Sequence, residues 1–172
     1  MNKKITLREI AIFGVLGALM YASKVLMDAL PNIHLIGAFV VAITVVYRAK
    51  ALLPIYTFVM MVGLFGGFGV WWIPYLYIWT VLFGVVMLLP RNMPKRVAAV
   101  VYIAVCSLHG FLYGILYAPF QAFAFGLDFN GTIAWIIAGV PFDIAHGIGN
   151  AVCGTLIIPI INVLQIANKK RI

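Results

Sequence analysis

Three polar side chains lie close together in the segment PFDIAHGIGN, residues 141–150. Asp143, His146 and Asn150 follow the spacing i, i+3, i+7, which places all three on one face of a helix. An acid, an imidazole and an amide arranged in this way can hydrogen-bond a polar ligand, or they can satisfy one another and the backbone in a structural network. Glycines in and after the segment leave room beside that face for a neighbouring helix or a ligand.

Two further segments carry aromatic side chains in helical register. In chain order these residues, with one histidine among them, are Trp72, Tyr75, Trp79, His109, Tyr113 and Tyr117. The first three follow i, i+3, i+7 and the last three follow i, i+4, i+8, so each set lies on one helix face. Such a stripe is commonly core packing, but it also supplies rings that stack on a flat ligand. His34 and Gln121 are additional polar candidates.

Lys24 and Asp28 are spaced i, i+4 near the end of the first apolar segment. That spacing predicts an intrahelical ion pair whose charged ends reach towards water. The alternative is that one of the two side chains contacts an anionic or polar group of a ligand. Together, the polar and aromatic candidates predict a pocket that stacks on and hydrogen-bonds a flat, small, mostly neutral molecule.

The sequence contains no recognisable catalytic constellation. No serine or cysteine has a plausible base beside it, no H-E-x-x-H motif is present, and no acidic pair suits hydrolysis. A phosphate-binding G-x-x-x-x-G-K-[ST] motif is also missing, so the chain is not predicted to hydrolyse nucleotides. Cys106 and Cys153 lie in apolar segments and are interpreted as packing residues. We therefore predict neither an enzyme nor a bound metal or cofactor.

These residues must be positioned by elements suited to lipid, because 65% of the 172 residues are hydrophobic and 9% are charged. A soluble domain carries about a quarter charged residues, so a chain this apolar has too few polar side chains to cover itself in water. We predict an all-α integral membrane protein, folded as one domain over residues 1–172. Its six transmembrane helices are predicted near 6–29, 33–47, 51–67, 71–89, 97–119 and 142–167.

The net charge of +8 is distributed in clusters between the apolar segments. Eleven of the 12 Lys and Arg residues fall in four places, namely 1–8, 48–50, 90–96 and 168–172. The other predicted connections carry none, namely 30–32, 66–70 and 120–141. The positive-inside rule therefore predicts that both termini lie in the cytoplasm. Because nucleic-acid binding needs a continuous basic face, a nucleic-acid partner is not predicted.

The segment 120–141, FQAFAFGLDFNGTIAWIIAGVP, is too long for a turn and too apolar for a solvated loop. We predict that it folds back over the outer helix ends, with 132–138 as an interfacial helix or a re-entrant turn, where it is a candidate lid. The alternative is a partial membrane segment with no functional role. Pro141 is predicted to open the sixth helix, because a proline in the first turn leaves no intrahelical hydrogen bond unmade.

The first apolar segment carries small residues at four-residue spacing, Gly14, Ala18 and Ala22. Small side chains in register allow a second helix to approach closely, which is how membrane helices associate without a hydrophobic driving force. The stripe predicts either internal packing or, where it faces lipid, a docking surface for a membrane partner.

Over its whole length, the chain resembles the substrate-binding S components of energy-coupling factor (ECF) transporters, a class of ATP-binding-cassette (ABC) importers that bring vitamins into bacteria and archaea. The resemblance covers the size, the six predicted spans, the cytoplasmic termini and the small-residue stripe on the first helix. It also covers the long outer segment before the sixth helix, whose start carries the polar residues of PFDIAHGIGN.

The resemblance implies a multi-pass protein of the bacterial or archaeal cytoplasmic membrane. Such a protein captures a vitamin or vitamin precursor from outside, docks on a membrane coupling protein bound to two ATPase subunits, and topples in the bilayer to release its substrate inward. Docking is implied for Gly14, Ala18 and Ala22, although glycine replaces the first alanine of an A-x-x-x-A pattern. The implied substrate-binding residues are Trp72, Tyr75, Trp79, Tyr117, Asp143, His146 and Asn150, to which the aromatic spacing adds Tyr113.

Aromatic candidates with little fixed positive charge favour a small aromatic heterocycle, such as pyridoxine or the hydroxymethylpyrimidine precursor of thiamine. Pantothenate, lipoate, niacin and queuosine precursors stay open, and Lys24 is available for a carboxylate if it turns inward. Two other classes of protein also stay open. One is a stand-alone secondary transporter or small channel in which Asp143 and His146 relay protons, and the other is a membrane assembly factor without a ligand.

Overall fold

The computed structural model describes residues 5–169, and every regular element within that range is helical. The eight α-helices are α1 (Leu7–Leu26), α2 (Ile36–Tyr47), α3 (Leu52–Gly66), α4 (Tyr75–Leu88), α5 (Lys95–Phe111), α6 (Tyr113–Phe125), α7 (Phe129–Gly154) and α8 (Ile157–Lys169). Two short 3-10 helices, Arg48–Ala51 and Val70–Trp72, precede α3 and α4.

Five helical segments are long and apolar enough to cross a membrane. They are Leu7–Leu26, Ile36–Gly66, Val70–Leu88, Lys95–Phe125 and Phe129–Gly154, and the apolar helix Ile157–Asn168 is shorter. Helices suit this role because they satisfy their backbone hydrogen bonds within the segment, where lipid offers no partners. The prediction of a helical, multi-pass membrane protein agrees with these segments.

The segment Ile36–Gly66 is not one straight helix, because α2 and α3 within it run in opposite directions. Arg48 follows α2 with a φ of 53°, which interrupts the helix because residues other than glycine rarely adopt positive φ. The Tyr47 ring at the end of α2 lies 5.1 Å from the Phe13 ring in the first half of α1. The Phe65 ring at the end of α3 lies 5.2 Å from the Tyr21 ring, near the far end of α1. The chain therefore turns back between α2 and α3.

Helix α2 is the central element of the bundle. Nine of its 12 residues are buried, as expected for a helix that is apolar all round. It packs against α4 and α8 and also contacts α5 and α7. The core around it includes Phe58, Trp79 and Ile157, each at most 1% exposed.

Basic side chains join four elements at one end of the bundle. The three contacts are Lys50 Nζ to Glu9 Oε1 at 2.6 Å, Arg48 Nη2 to the Met87 carbonyl at 2.7 Å, and Arg8 Nη2 to the Ala167 carbonyl at 2.8 Å. They connect the start of α1, the α2–α3 turn, the end of α4 and the end of α8. Basic clusters that are far apart in the sequence therefore meet at this end, which we call the basic end.

Helices α5 and α6 both pack against α7, and we call them together the α5–α6 arm. The arm approaches α7 closely because glycines face the contact. A side chain at Gly110 would meet the His146 carbonyl at 2.8 Å, and one at Gly147 would meet the Phe111 ring at 2.5 Å. Ser107 Oγ also donates to the Gly147 carbonyl, 2.9 Å away. The glycines of the segment 141–150 thus accommodate a neighbouring helix.

Residues 120–141 do not form the predicted interfacial helix or re-entrant turn. Helix α6 runs to Phe125 and α7 begins at Phe129, so the segment is the tip of a helical hairpin. Gly126, with a φ of 64°, ends α6 in the left-handed conformation that glycine favours. Asp128 caps α7, since its side chain accepts a hydrogen bond from Gly131 N at 2.7 Å.

Pro141 does not open a helix, which corrects a second prediction. It lies in the interior of α7, where it leaves one carbonyl without a backbone donor, a cost that membrane helices tolerate. The predicted spans 97–119 and 142–167 are interrupted, the first at Leu112 and the second at a turn over residues 155–156. The first four predicted spans agree with α1 to α4 to within a few residues at each end.

Candidate ligand-binding cavity

A cavity of about 360 Å³ lies at the end of the bundle opposite the basic end. This volume falls within the range of about 300–1,000 Å³ that is typical of small-molecule sites. Its walls come from the end of α1, the connection between α1 and α2, the start of α4, and the facing parts of α6 and α7.

The connection between α1 and α2 forms one complete wall, through Met27, Asp28 and residues 30–34. Asn32 has a φ of 61°, a conformation that asparagine adopts more readily than most residues. Only a short connection at 30–32 was predicted between the first two helices, whereas α2 begins at Ile36. Pro31 and Asn32 are typical turn residues, and together they could have predicted a longer non-helical connection at this position.

Three of the predicted aromatic residues line the cavity, namely Tyr75, Tyr113 and Tyr117. Tyr117 OH donates to the Trp71 carbonyl at 3.0 Å, which ties α6 to the start of α4. The Tyr117 ring also stacks on Trp135 of α7, with centroids 5.8 Å apart. These contacts hold the aromatic wall at a defined position between three elements.

The tryptophan that lines the cavity is Trp71, not the predicted Trp72. Trp72 Nε1 donates to the Val59 carbonyl at 2.8 Å, and its ring packs against Phe68. The i, i+3, i+7 spacing assumed one regular α-helix from Trp72 onwards. Trp72 instead lies in the 3-10 helix Val70–Trp72, so its side chain points in a different direction from the one predicted.

Trp79 is buried beneath the cavity and is 1% exposed. Its ring lies 5.8 Å from His34, 6.0 Å from Tyr75, 5.6 Å from His109 and 6.2 Å from Tyr113, measured between centroids. Its Nε1 has no hydrogen-bond partner among the described residues. Trp79 is therefore the residue on which the cavity's aromatic and imidazole rings converge.

Two histidines present ring nitrogens without partners at the cavity. The rings of His34 and His146 lie 4.7 Å apart, and Tyr113 packs on His146 at 4.6 Å. Within residues 5–169, His34 Nδ1 and His146 Nε2 are buried and have no hydrogen-bond partner. Burial also lowers the pKa of His34, in the α1–α2 connection, to about 4, so this ring is neutral at pH 7.

The other polar residues of the segment 141–150 hold helices together. Asp143 Oδ1 accepts a hydrogen bond from Gly114 N at 2.9 Å, and Asn150 Nδ2 donates to the Cys106 carbonyl at 3.1 Å. Both residues are buried on the same face as His146, as the spacing predicts, but neither lines the cavity. Asn150 Oδ1 has no partner in the part of the chain that is described.

The remaining candidates occupy distinct places. Lys24 Nζ and Asp28 Oδ1 are 3.0 Å apart, so the predicted ion pair is confirmed, and both residues line the cavity. His109 is buried and contacts the Ile78 carbonyl through Nε2, 3.1 Å away. Gln121 is half-buried outside the cavity lining.

The small-residue stripe of α1 lies mostly on the surface. Gly14 and Ala22 are exposed and Ala18 is half-buried, while a side chain at Gly14 would meet nothing within 4 Å. Gly17, one residue from the stripe, is the glycine that packs internally, against Thr57 of α3. The stripe is therefore available for a partner helix.

The cavity combines aromatic rings, two neutral acceptor or donor nitrogens and one internally neutralised ion pair. This set can stack on a flat molecule and hydrogen-bond its polar edge. Within the described residues, no three His, Cys, Asp or Glu side chains are grouped to hold a metal ion. No protein-family model, curated protein or solved structure matches the chain.

Proposed function

We propose that this chain is the substrate-capture subunit, or S component, of an ECF-type vitamin importer. One observation carries the proposal, namely that rings from α4 and α6 and unpartnered nitrogens from His34 and His146 face one cavity of about 360 Å³. Buried polar atoms without partners are rare in folded proteins, and a bound ligand is one way to satisfy them. Unpartnered ring nitrogens at a cavity of this size support the capture of a small ligand.

The proposed substrate is a small aromatic heterocycle of the pyridoxine or hydroxymethylpyrimidine type. Tyr75 and Tyr113 supply ring faces for stacking, and the two histidine nitrogens suit ring nitrogens or hydroxyl groups. Because Lys24 is already paired with Asp28, the described residues that line the cavity include no free cation that would favour a polyanion.

The proposed topology has six crossings with the basic end in the cytoplasm. The crossings are α1, α2, α3, α4, α5 together with α6, and α7 together with α8. Because the cavity lies opposite the basic end, it opens to the outside in this topology. The exposed stripe of Gly14, Ala18 and Ala22 is the proposed docking surface for a membrane coupling protein that carries two ATPase subunits.

Native mass spectrometry of the detergent-purified chain, released gently from its host membrane, tests the capture of a substrate. We expect a co-purifying mass that matches a vitamin or precursor, and we expect His146→Gln to lose it. His109→Gln is the matched control, because His109 is also buried against Trp79 and Tyr113 but does not line the cavity. Retention of the mass in His146→Gln, or failure of every added vitamin to bind, would contradict the proposal.

A stand-alone proton-coupled transporter is the second candidate. The observation that favours it is the contact between the His34 and His146 rings, 4.7 Å apart, with Asp143 one turn away from His146 on α7. The two candidates differ in what they need for uptake. A purified chain in liposomes that accumulates substrate under a proton gradient alone supports the transporter, whereas a requirement for ATPase subunits supports the S component.

A further inference from the structure

A second cavity, of about 160 Å³, lies at the basic end between α2, α4 and α5. Its polar lining comes from Arg48, Arg91 and Tyr102, while Val45 and Val86 are among its apolar walls. The first cavity contains aromatic rings, neutral imidazoles and a paired lysine. The second presents two guanidinium groups and a phenol, so it suits a ligand of different chemistry.

The Arg48 guanidinium is held in place but is not neutralised. Its Nη2 donates to the Met87 carbonyl at 2.7 Å, whereas its Nε is buried without a partner among the described residues. Its φ of 53° is rare outside glycine, and such conformations persist where the surrounding structure or a function requires them. Arg48 therefore presents a charged group with unused hydrogen-bonding capacity at this cavity.

The chain offers this cavity no free side-chain carboxylate. Of its four acidic residues, Glu9 lies at the basic end, where it is paired with Lys50. Asp28 and Asp143 lie at or near the first cavity, and Asp128 caps α7. Two arginines without a counter-ion among the described residues favour an anion from outside the chain. The planar guanidinium group matches the oxygen geometry of phosphate.

A separate apolar crevice lies near this cavity, between α4, α5 and the start of α6. Its lining includes Val85, Val105 and Leu108, and Val85 and Leu108 are 42% and 56% exposed. Val85 is adjacent to Val86 of the cavity, and Val105 is one helical turn, about 4.5 Å, from Tyr102. A phosphate site beside a hydrocarbon-lined crevice fits a phospholipid better than a soluble phosphate.

We propose that the cavity at the basic end binds the phosphate of an acidic phospholipid, whose acyl chain lies in the α4–α5 crevice. Arg48 contacts the headgroup from within the bundle, and the exposed Arg91 contacts it from the water side. The Tyr102 hydroxyl supplies a further donor. Basic pockets between membrane helices at the bilayer surface bind anionic headgroups in this way. The proposal goes beyond substrate capture and does not depend on it.

The test is a native mass spectrometry titration of the detergent-purified full chain with phosphatidylglycerol and phosphatidylcholine of identical acyl chains. We expect phosphatidylglycerol to bind more tightly, and Arg91→Gln to weaken its binding about tenfold, because a charge-assisted hydrogen bond is lost. Arg96→Gln is the matched control, since Arg96 is an exposed arginine at the start of α5 that does not line the cavity. It is expected to leave the binding unchanged.

Glycerol 3-phosphate provides the headgroup without the acyl chains. If it binds as tightly as phosphatidylglycerol, the site is one for soluble anions and the lipid proposal is wrong. Equal binding of the two lipids would overturn it in favour of binding by the acyl chains alone. An equal loss in Arg96→Gln would overturn it in favour of diffuse surface charge. Lipid-free thermal unfolding checks that the variants fold. If Arg91→Gln does not fold, Tyr102→Phe decides, because removing this single hydroxyl must weaken phosphatidylglycerol binding.

Discussion

The Asn150 side chain, fully buried on α7, donates to the Cys106 carbonyl of α5 at 3.1 Å and lies against Gly37 of α2. A hydrogen bond between membrane helices contributes about 0.6 kcal/mol on average, and truncation also leaves a cavity. We predict that Asn150→Ala lowers the free energy of unfolding by about 1–2 kcal/mol, measured by thermal unfolding in detergent. Asn162→Ala, exposed on α8, is the control and should change stability by less than about 0.5 kcal/mol.

The same pair of variants separates a structural role from a ligand contact. If Asn150→Ala kept its stability but lost the affinity for a bound vitamin, the role predicted from the sequence would hold and the structural interpretation would fail.

His34 makes stability depend on pH. Its pKa is about 4 in the folded protein and about 6.5 in the unfolded chain, so the unfolded state gains a proton first as the pH falls. The contribution of neutral His34 is therefore complete above about pH 6.5 and is lost between pH 6.5 and pH 4. We predict a loss of about 2 kcal/mol at pH 5, seen as a lower Tm than at pH 7.5.

The control for this prediction is His34→Gln, which does not titrate in that interval. It should lose less stability than the natural chain between pH 7.5 and pH 5.0, and an identical loss in both proteins would show that other groups cause the pH dependence.

At the scale of elements, the contact of the α5–α6 arm with α7 positions His146 and joins the two long arms of the bundle. Ala at position 110 would force its methyl group to within 2.8 Å of the His146 carbonyl. We predict that Gly110→Ala separates the helices and destabilises the protein by about 1–3 kcal/mol, the usual cost of overpacking. The measurement is thermal unfolding, together with the affinity for any ligand of the first cavity.

Gly139→Ala, also on α7, is the matched control, because a methyl group there meets nothing within 4 Å. An alanine in an open helix position is expected to stabilise the helix by about 0.5–1 kcal/mol relative to glycine. Equal effects of the two substitutions would mean that helix propensity, and not the close contact, determines the result.

At the scale of the whole molecule, the fold separates a basic end from a cavity of aromatic rings and histidines. The two native cysteines, Cys106 and Cys153, are buried, so a single introduced cysteine reports accessibility. We predict that Asn130→Cys at the α6–α7 tip is labelled by a membrane-impermeant thiol reagent in intact cells. Asn92→Cys, in the connection after α4 at the basic end, should be labelled only after permeabilisation. The opposite pattern would reverse the proposed topology.

Much of the architecture follows from composition and charge alone. The apolar segments predicted α1 to α4 to within a few residues, because an apolar stretch in lipid must satisfy its own backbone hydrogen bonds, which a helix does. Helical spacing also predicted that Asp143, His146 and Asn150 share one helix face, and all three are buried in the fold. These properties are local, so the sequence by itself determined them.

The different roles of Asp143, His146 and Asn150 depended on tertiary structure. Spacing within one helix does not say what faces it, and only the packing of α5 and α6 against α7 assigned Asp143 and Asn150 to helix contacts and left His146 at the cavity. Segments distant in sequence also meet at both cavities. The α1–α2 connection forms a wall of the first cavity, and Arg48 and Arg91 both line the second. Cavities form between elements, and periodicity describes one element at a time, so only the assembled fold located them.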